Sequence, residues 1–206
     1  MRGGLWAPDD ATRIGLAYRG GIEHKLTGTL APAGVAVTAA LSLSDSVSLS
    51  LFRRLTPSWD LLADVTRTGW DSFDELRVVP AGGGAPLSLV TDDWKATWRV
   101  ALGLTWHAGE RMSWRFGLAH DQTPVRDATH RTPRIPDSDR TWLALGGQYR
   151  LSPRSALDYG YAHLFFADAP IAHCEPETSC PAPGVTLNGS YRGHVDILSL
   201  QFTHNF

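Results

Sequence analysis

The chain ends in Leu198-Ser199-Leu200-Gln201-Phe202-Thr203-His204-Asn205-Phe206, and this stretch decides the fold. Leu198, Leu200, Phe202 and Phe206 alternate with Ser199, Gln201, Thr203 and Asn205, with His204 the one polar residue in the apolar row. Successive side chains of a strand point to opposite faces, so a period of two makes one face apolar and the other wet. The pattern recurs upstream. Trp98, Val100, Leu102, Leu104 and Trp106 alternate with Arg99, Ala101, Gly103, Thr105 and His107. Trp114, Phe116 and Leu118 alternate with Ser113, Arg115, Gly117 and Ala119, and Ile14, Leu16 and Tyr18 with Arg13, Gly15, Ala17 and Arg19.

Extended along the chain, this reading predicts an all-β, antiparallel transmembrane β-barrel wall of about eight strands, at about 11–28, 36–54, 58–79, 93–107, 112–125, 138–151, 154–169 and 190–206. Residues 1–10 then form the end of a preceding strand and a periplasmic turn, and residues 11–206 the barrel segment. Connections at 55–57, 108–111 and 152–153 are short, those at 80–92, 126–137 and 170–189 are long, and the one at 29–35 is brief. A membrane barrel separates short turns from long loops in this way, whereas a soluble meander has no reason to. The predicted strands also exceed the roughly 9–11 residues needed to cross a bilayer, so their excess is expected on the long-loop side. Trp98 and Trp106 share a face and fall roughly 20 Å apart along a tilted strand, which suits two aromatic girdles. Trp59 and Trp70 match that separation only if a bulge intervenes, and Gly69 is the expected place for it.

Composition narrows the alternatives. No apolar run approaches the roughly 18 residues of a membrane-spanning helix. The formal charge of −2 is spread along the chain without a basic run, which argues against nucleic acid as a partner. Cys174 and Cys180 are the only cysteines, and their spacing in a Pro-rich segment suits a disulfide staple worth roughly 2 kcal/mol. A zinc site needs further ligands than the adjacent His173, so no metal or cofactor is expected. A soluble β-sandwich or lipocalin-like barrel fits the alternation too. The small residues with single Arg and Asp on the wet face suit a crowded lumen better than a water-facing surface. Phe206, an aromatic closing an alternating strand, is the type of terminus expected to be read by the barrel-assembly machinery, in contact with outer-membrane lipid and lipopolysaccharide.

Several segments resemble the FadL/TodX family of outer-membrane transporters for long-chain fatty acids and aromatic hydrocarbons. They are Thr12-Arg13-Ile14-Gly15-Leu16-Ala17-Tyr18-Arg19 with His24-Lys25-Leu26-Thr27-Gly28, Asp45-Ser46-Val47-Ser48-Leu49, and Thr68-Gly69-Trp70-Asp71-Ser72-Phe73-Asp74-Glu75-Leu76. Further along are Trp94-Lys95-Ala96-Thr97-Trp98-Arg99-Val100-Ala101-Leu102-Gly103, Asp121-Gln122-Thr123-Pro124-Val125, and Arg134-Ile135-Pro136-Asp137-Ser138-Asp139-Arg140. Their order and spacing, more than any one of them, make the match specific. Ser44 stands where the family usually has Pro, and Gly20 where Ser is common. The resemblance implies a 14-stranded barrel with an N-terminal hatch inside, of which this chain supplies about the last eight strands. Leu5 and Trp6 resemble the tail of the preceding strand, so Met1 is expected to lie inside a longer reading frame.

The resemblance further implies passive transport of a hydrophobic small molecule by a monomer. For a carboxylate substrate, lumen arginines would offset the cost of taking the charge out of water. By parity Arg13, Arg19, Arg99 and Arg115 point inward, with Arg140 a further candidate. The competing reading is that they pair with Asp60, Asp64, Asp121 and Asp158 on the same face. Leu87, Leu89, Val90, Ile171 and Val185 are candidates for an outer apolar groove, or for packing loop on loop. An enzyme of the lipase type needs a nucleophile beside a base, and no set stands out: there is no G-x-S-x-G, and His120 and Asp121 fall on opposite faces. A self-contained eight-stranded anchor or adhesin is the remaining alternative, disfavoured by lumen rows rich in Gly, Ala and Ser.

Overall fold

The alternating segments form strands because β-branched and aromatic side chains pack well on a pleated surface. The structure, a computed structural model, describes residues 2–175 and 185–206. Its strands are β1 (Arg2–Asp9), β2 (Thr12–Arg19), β3 (Ile22–Leu30), β4 (Val35–Leu43), β5 (Ser46–Thr56), β6 (Trp59–Thr68), β7 (Glu75–Pro80) and β8 (Ser88–Thr91). They continue with β9 (Thr97–His107), β10 (Met112–Asp121), β11 (Arg140–Ser152), β12 (Ser155–Phe166), β13 (Ala169–Glu175), β14 (Val185–Tyr191) and β15 (His194–His204). A 3-10 turn at Trp70–Ser72 is the one helical element among the described residues.

Nine strands make the wall, in the order β1-β2-β5-β6-β9-β10-β11-β12-β15, and each neighbour pair is antiparallel. The tight turns after β1, β5, β9 and β11 all lie at one end. The long connections at the other end carry a four-stranded sheet, β3-β4-β7-β8, and the hairpin β13-β14.

The expected eight continuous strands are therefore corrected to fifteen shorter ones. Four of the long segments break where they leave the wall. At Gly21 a Cβ would stand 2.8 Å from the carbonyl oxygen of Leu43, and at Gly69 it would overlap the carboxylate of Asp45. The Gly69 amide donates to the Asp45 carbonyl at 3.0 Å, so chains turn together around Asp45 at this level. No bulge forms at Gly69. β6 ends at Thr68, and the 3-10 turn swings Trp70 away from any girdle onto Trp94, ring centroids 5.2 Å apart. The ninth wall strand is β1, whose Gly3 and Gly4 dilute the alternation that marks the others.

The wall is also open, with β1 and β15 as its two edges. Because all neighbours are antiparallel and the strands number nine, β1 and β15 run in the same direction. Closure with antiparallel pairs throughout takes an odd number of further strands.

Register decides what each face carries. Ile14, Leu51, Ala63, Leu102, Leu118 and Leu143 lie side by side in one row across six strands. Leu16, Leu49, Val65 and Val100 form the next row. This apolar face is uncovered: Leu102 is 53% exposed and Leu200 74%. Few of the described side chains are buried, and they form no sizeable central core. Toward the turn end Trp59, Trp106 and Trp114 stand abreast, with Trp59 stacked on Trp106 at 5.8 Å. Tyr18 and Trp98 lie in one row near the loop end. Two belts of rings thus flank an apolar band, the pattern of a lipid-facing wall.

A Leu102→Arg substitution is expected to destabilise the folded protein in bilayers by about 2–4 kcal/mol, since a charge then sits at mid-depth in hydrocarbon. Ser48→Arg, on the opposite face, should cost far less. Equilibrium unfolding in urea from vesicles measures both, and equal costs would contradict the facing.

Candidate functional site on the polar face

The opposite face carries all five candidate arginines. Register puts Arg99, Asp121 and Arg140 in one row, Arg13 beside Phe52, Arg19 beside Ser46 and Arg115 beside Gly146. The structure does not gather them in one place. Arg99 and Arg140 line a cleft of about 710 Å³ at the loop end. Arg115 stands lower on the wall, and Arg13 lies over the ring of Phe52, 4.1 Å from its centroid. Arg19 lies at the rim, where β2 ends.

The cleft forms because the connection between β10 and β11 folds back over the wall. Its two ends are latched together. The Thr123 amide donates to Asp139 Oδ1 at 2.7 Å, and the Thr123 hydroxyl donates to Asp137 Oδ2 at 2.9 Å. Arg140 donates to Asp121 at 2.9 Å and to Asp137 at 2.8 Å. Farther out, the buried Arg131 donates to the carbonyls of Asp137 and Pro170. Trp70, Trp94, Ile135, Pro124 and Pro136 supply the cleft's apolar surface, while Arg99, Arg134, Arg140, Asp121 and Asp137 supply charge. Trp94 is held between Trp70 and Phe73, at 5.2 and 4.6 Å between centroids. A pocket with an apolar floor and a few fixed polar groups has the usual make-up of a site for an amphipathic ligand. Alternation identified Arg99 and Arg140. It missed Trp70, Trp94, Arg134 and Asp137, which reach the cleft from segments without a period of two.

Most of the wall's charges are paired between near neighbours. Arg115 reaches Asp158 at 3.2 Å across the gap left by Gly146, and Gln148 donates to both oxygens of Asp158 at 3.0 Å. Arg99 stands 4.0 Å from Asp64, and Arg54 3.4 Å from Asp60. His107 faces Asp60 at 2.7 Å through Nε2 and Ser113 at 3.2 Å through Nδ1, joining three residues from different strands. His120 and Asp121 fall on opposite faces as expected: His120 meets Thr141 at 3.2 Å, whereas Asp121 meets Arg140. Among the described residues no cluster of metal-ligating side chains occurs.

Of the groove candidates, Leu89 and Val90 lie on β8, and Leu87 is exposed. Ile171 is 4% exposed, which takes it out of any open groove. Val185 begins β14, and its side chain lies outside the described residues. Cys174 lies on β13 and is not a free thiol, while Cys180 lies outside the described residues.

An antiparallel wall with an uncovered apolar face, aromatic belts and a polar face bearing a cleft defines the class: an outer-membrane protein that crosses the bilayer with β-strands. The comparisons make this specific. Residues 2–206 match the family model described as outer membrane protein transport protein (OMPP1/FadL/TodX), and the chain belongs to that family. It is 29% identical to outer membrane protein P1 of Haemophilus influenzae over 99% of this chain and 46% of the relative. It is 30% identical to the long-chain fatty acid transport protein of Escherichia coli K12 over 60% of this chain and 27% of the relative. The crystal structure of a Pseudomonas aeruginosa FadL homologue superposes with a TM-score of 0.87 at 25% identity, over 98% of this chain and 51% of that one. The chain spans at most about half the length of these relatives.

Two outcomes are expected. Asp137→Ala removes the acceptor for both Thr123 and Arg140 and should loosen the latch by about 1–3 kcal/mol, read as faster proteolysis within 122–139 in the otherwise folded protein. The second concerns Asp127, which lies in the same connection outside the wall. Its carboxylate accepts from the Thr129 hydroxyl at 2.7 Å and the His130 amide at 3.1 Å. The Thr129 hydroxyl first, and then His130, hold it well below the usual carboxylate range. A group depressed in the folded state contributes stability above its unfolded pKa, near 4, and loses it as pH falls through the folded value. Amide exchange at Thr129 and His130 should therefore be flat from pH 5 to 8, after correction for intrinsic exchange. Protection should fall below about pH 4, and Asp127→Ala should abolish that step.

Proposed function

We propose that this chain is the C-terminal part of the wall of a monomeric passive channel that carries hydrophobic compounds, long-chain fatty acids or aromatic hydrocarbons, across the outer membrane. The observation that carries the reading is the division of one nine-stranded wall into an apolar face and a polar face with a cleft. Family membership supports it, as does the name of the Escherichia coli relative. In this reading the substrate leaves the lipopolysaccharide surface, enters the lumen at the loop end and passes the cleft. Burial of apolar surface, about 0.8 kcal/mol per methylene, supplies the driving force.

The chain works here as a fragment of a complete barrel. Five further strands would bring the wall of nine to the fourteen that the family resemblance implies, and five is an odd number, as antiparallel closure requires. The exposed Phe206 would present the last strand to the barrel-assembly machinery.

The test is uptake of a radiolabelled long-chain fatty acid and of toluene into liposomes carrying the complete polypeptide. Saturable entry without an energy source is expected for at least one of them, with no entry into empty liposomes beyond simple diffusion. Entry equal to that of empty liposomes for both would contradict the proposal. So would ester hydrolysis that disappears in Ser113→Ala, because a passive channel turns over no substrate.

A further inference from the structure

One row of the apolar face carries charge. Arg2, Tyr18, Val47, Arg67 and Trp98 lie side by side on β1, β2, β5, β6 and β9. The row stands within one residue of the loop end of every strand it crosses. Parity puts all five residues on the lipid-facing side, above Ile14, Leu16, Leu49 and Leu102. Two arginines therefore sit in the belt of rings that borders the apolar band, on either side of Tyr18 and Val47. From β1 to β6 the row crosses three strand spacings, about 14 Å.

Tyrosine and tryptophan mark the level at which hydrocarbon gives way to headgroups, so both arginines are placed to meet lipid headgroups. Neither is held firmly by the protein. Arg67 stands 3.8 Å from Asp71, but the two side chains are 42% and 55% exposed, and such a pair contributes little. Arg2 meets no acidic side chain among the described residues. A guanidinium binds a phosphate through two parallel N–H donors, and each arginine can hold one phosphate in this way. Two of them a fixed distance apart select a lipid whose head carries a phosphate at each end of a stiff unit. A phospholipid with one phosphate satisfies one arginine or the other. The bisphosphorylated disaccharide at the base of lipopolysaccharide can satisfy both, with the exposed Tyr18 ring beneath the sugars and the acyl chains lying down the leucine rows below.

We propose that Arg2 and Arg67, with Tyr18 and Trp98 beside them, form an outward-facing clamp for the two phosphates of the lipopolysaccharide anchor. The clamp lies on the outer surface of the wall, apart from the cleft, and fixes the height of the loop end in the outer leaflet. It rests on the transport reading only in placing the loop end outside, and it is indifferent to the compound carried.

The test is native mass spectrometry of the protein in detergent micelles, with folding checked by heat-modifiable mobility. The probes are lipid A with two phosphates, lipid A with one, and phosphatidylglycerol. The wild type should hold the two-phosphate form about tenfold more tightly than either of the others, the gain from a second set of charged hydrogen bonds. Arg2→Gln and Arg67→Gln should each lower it to the level of the one-phosphate form and leave phosphatidylglycerol nearly unchanged. Arg67→Lys should fall between, because it keeps the charge and loses the fork. Arg53→Gln removes a lipid-facing arginine in the row of Thr12 and Leu61 at the turn end, and should change nothing. Equal binding of the one- and two-phosphate lipids by the wild type, or an equal loss in Arg53→Gln, would overturn the clamp while leaving transport intact. In a second measurement, an impermeant maleimide on intact cells should label Thr29→Cys in β3 and spare Asp10→Cys in the turn after β1. The reverse labelling would put the loop end in the periplasm and remove the proposed substrate path together with the clamp.

Discussion

Every amide and carbonyl of a strand in hydrocarbon must find its partner on a neighbouring strand, because lipid offers none. That requirement fixes the antiparallel ladder, and with side chains alternating along each strand it fixes the faces as well. A slip of one residue would carry a strand's apolar row to the polar face and its polar row to the lipid, so register is strongly specified by the two environments. The ladder is regular through the apolar band, and the irregularities at Trp6/Asp9, Arg54/Thr56 and Arg150/Ser152 all fall at the turn end. The aromatic belts and the gathering of charge on one face follow from that regularity.

Alternation is a local property, and what depends on it alone is legible in the chain. The facing of Trp98 to Trp106, the inward parity of Arg13, Arg19, Arg99 and Arg115, and the separation of His120 from Asp121 need only neighbouring residues. What depends on contacts between distant segments is not legible. Nothing near Gly69 in sequence shows that Asp45 occupies the space beside it, so a bulge and a 3-10 turn look alike there. Trp70 and Trp94 meet across 23 intervening residues, and Asp137 reaches the cleft from a connection with no period at all. β1 reads in sequence as no more than a tail because two glycines replace the side chains that would have marked its faces.

The charges of the polar face show the same contrast. Pairing with Asp64, Asp158 and Asp121 is foreseeable from their shared face, and the structure finds each pair among near strands. Such pairing balances charge locally along the face. Arg13 is held differently, with its guanidinium over the ring of Phe52. The latch at Thr123, Asp137, Asp139 and Arg140 is different again: it uses charge to hold a connection in place over the wall and so gives the cleft its roof.

The central claim is that the apolar face meets lipid and its alternate lines an aqueous interior. Nitroxide labels on Leu102→Cys, Phe116→Cys and Leu200→Cys, and on Ala101→Cys, Gly117→Cys and Ser199→Cys, test it most directly in the protein reconstituted in bilayers. Collisions with dissolved oxygen should dominate at 102, 116 and 200, and collisions with a water-soluble nickel chelate at 101, 117 and 199. Nickel contact at 102, 116 and 200, or uniform shielding there from both agents as in a packed soluble core, would contradict the account.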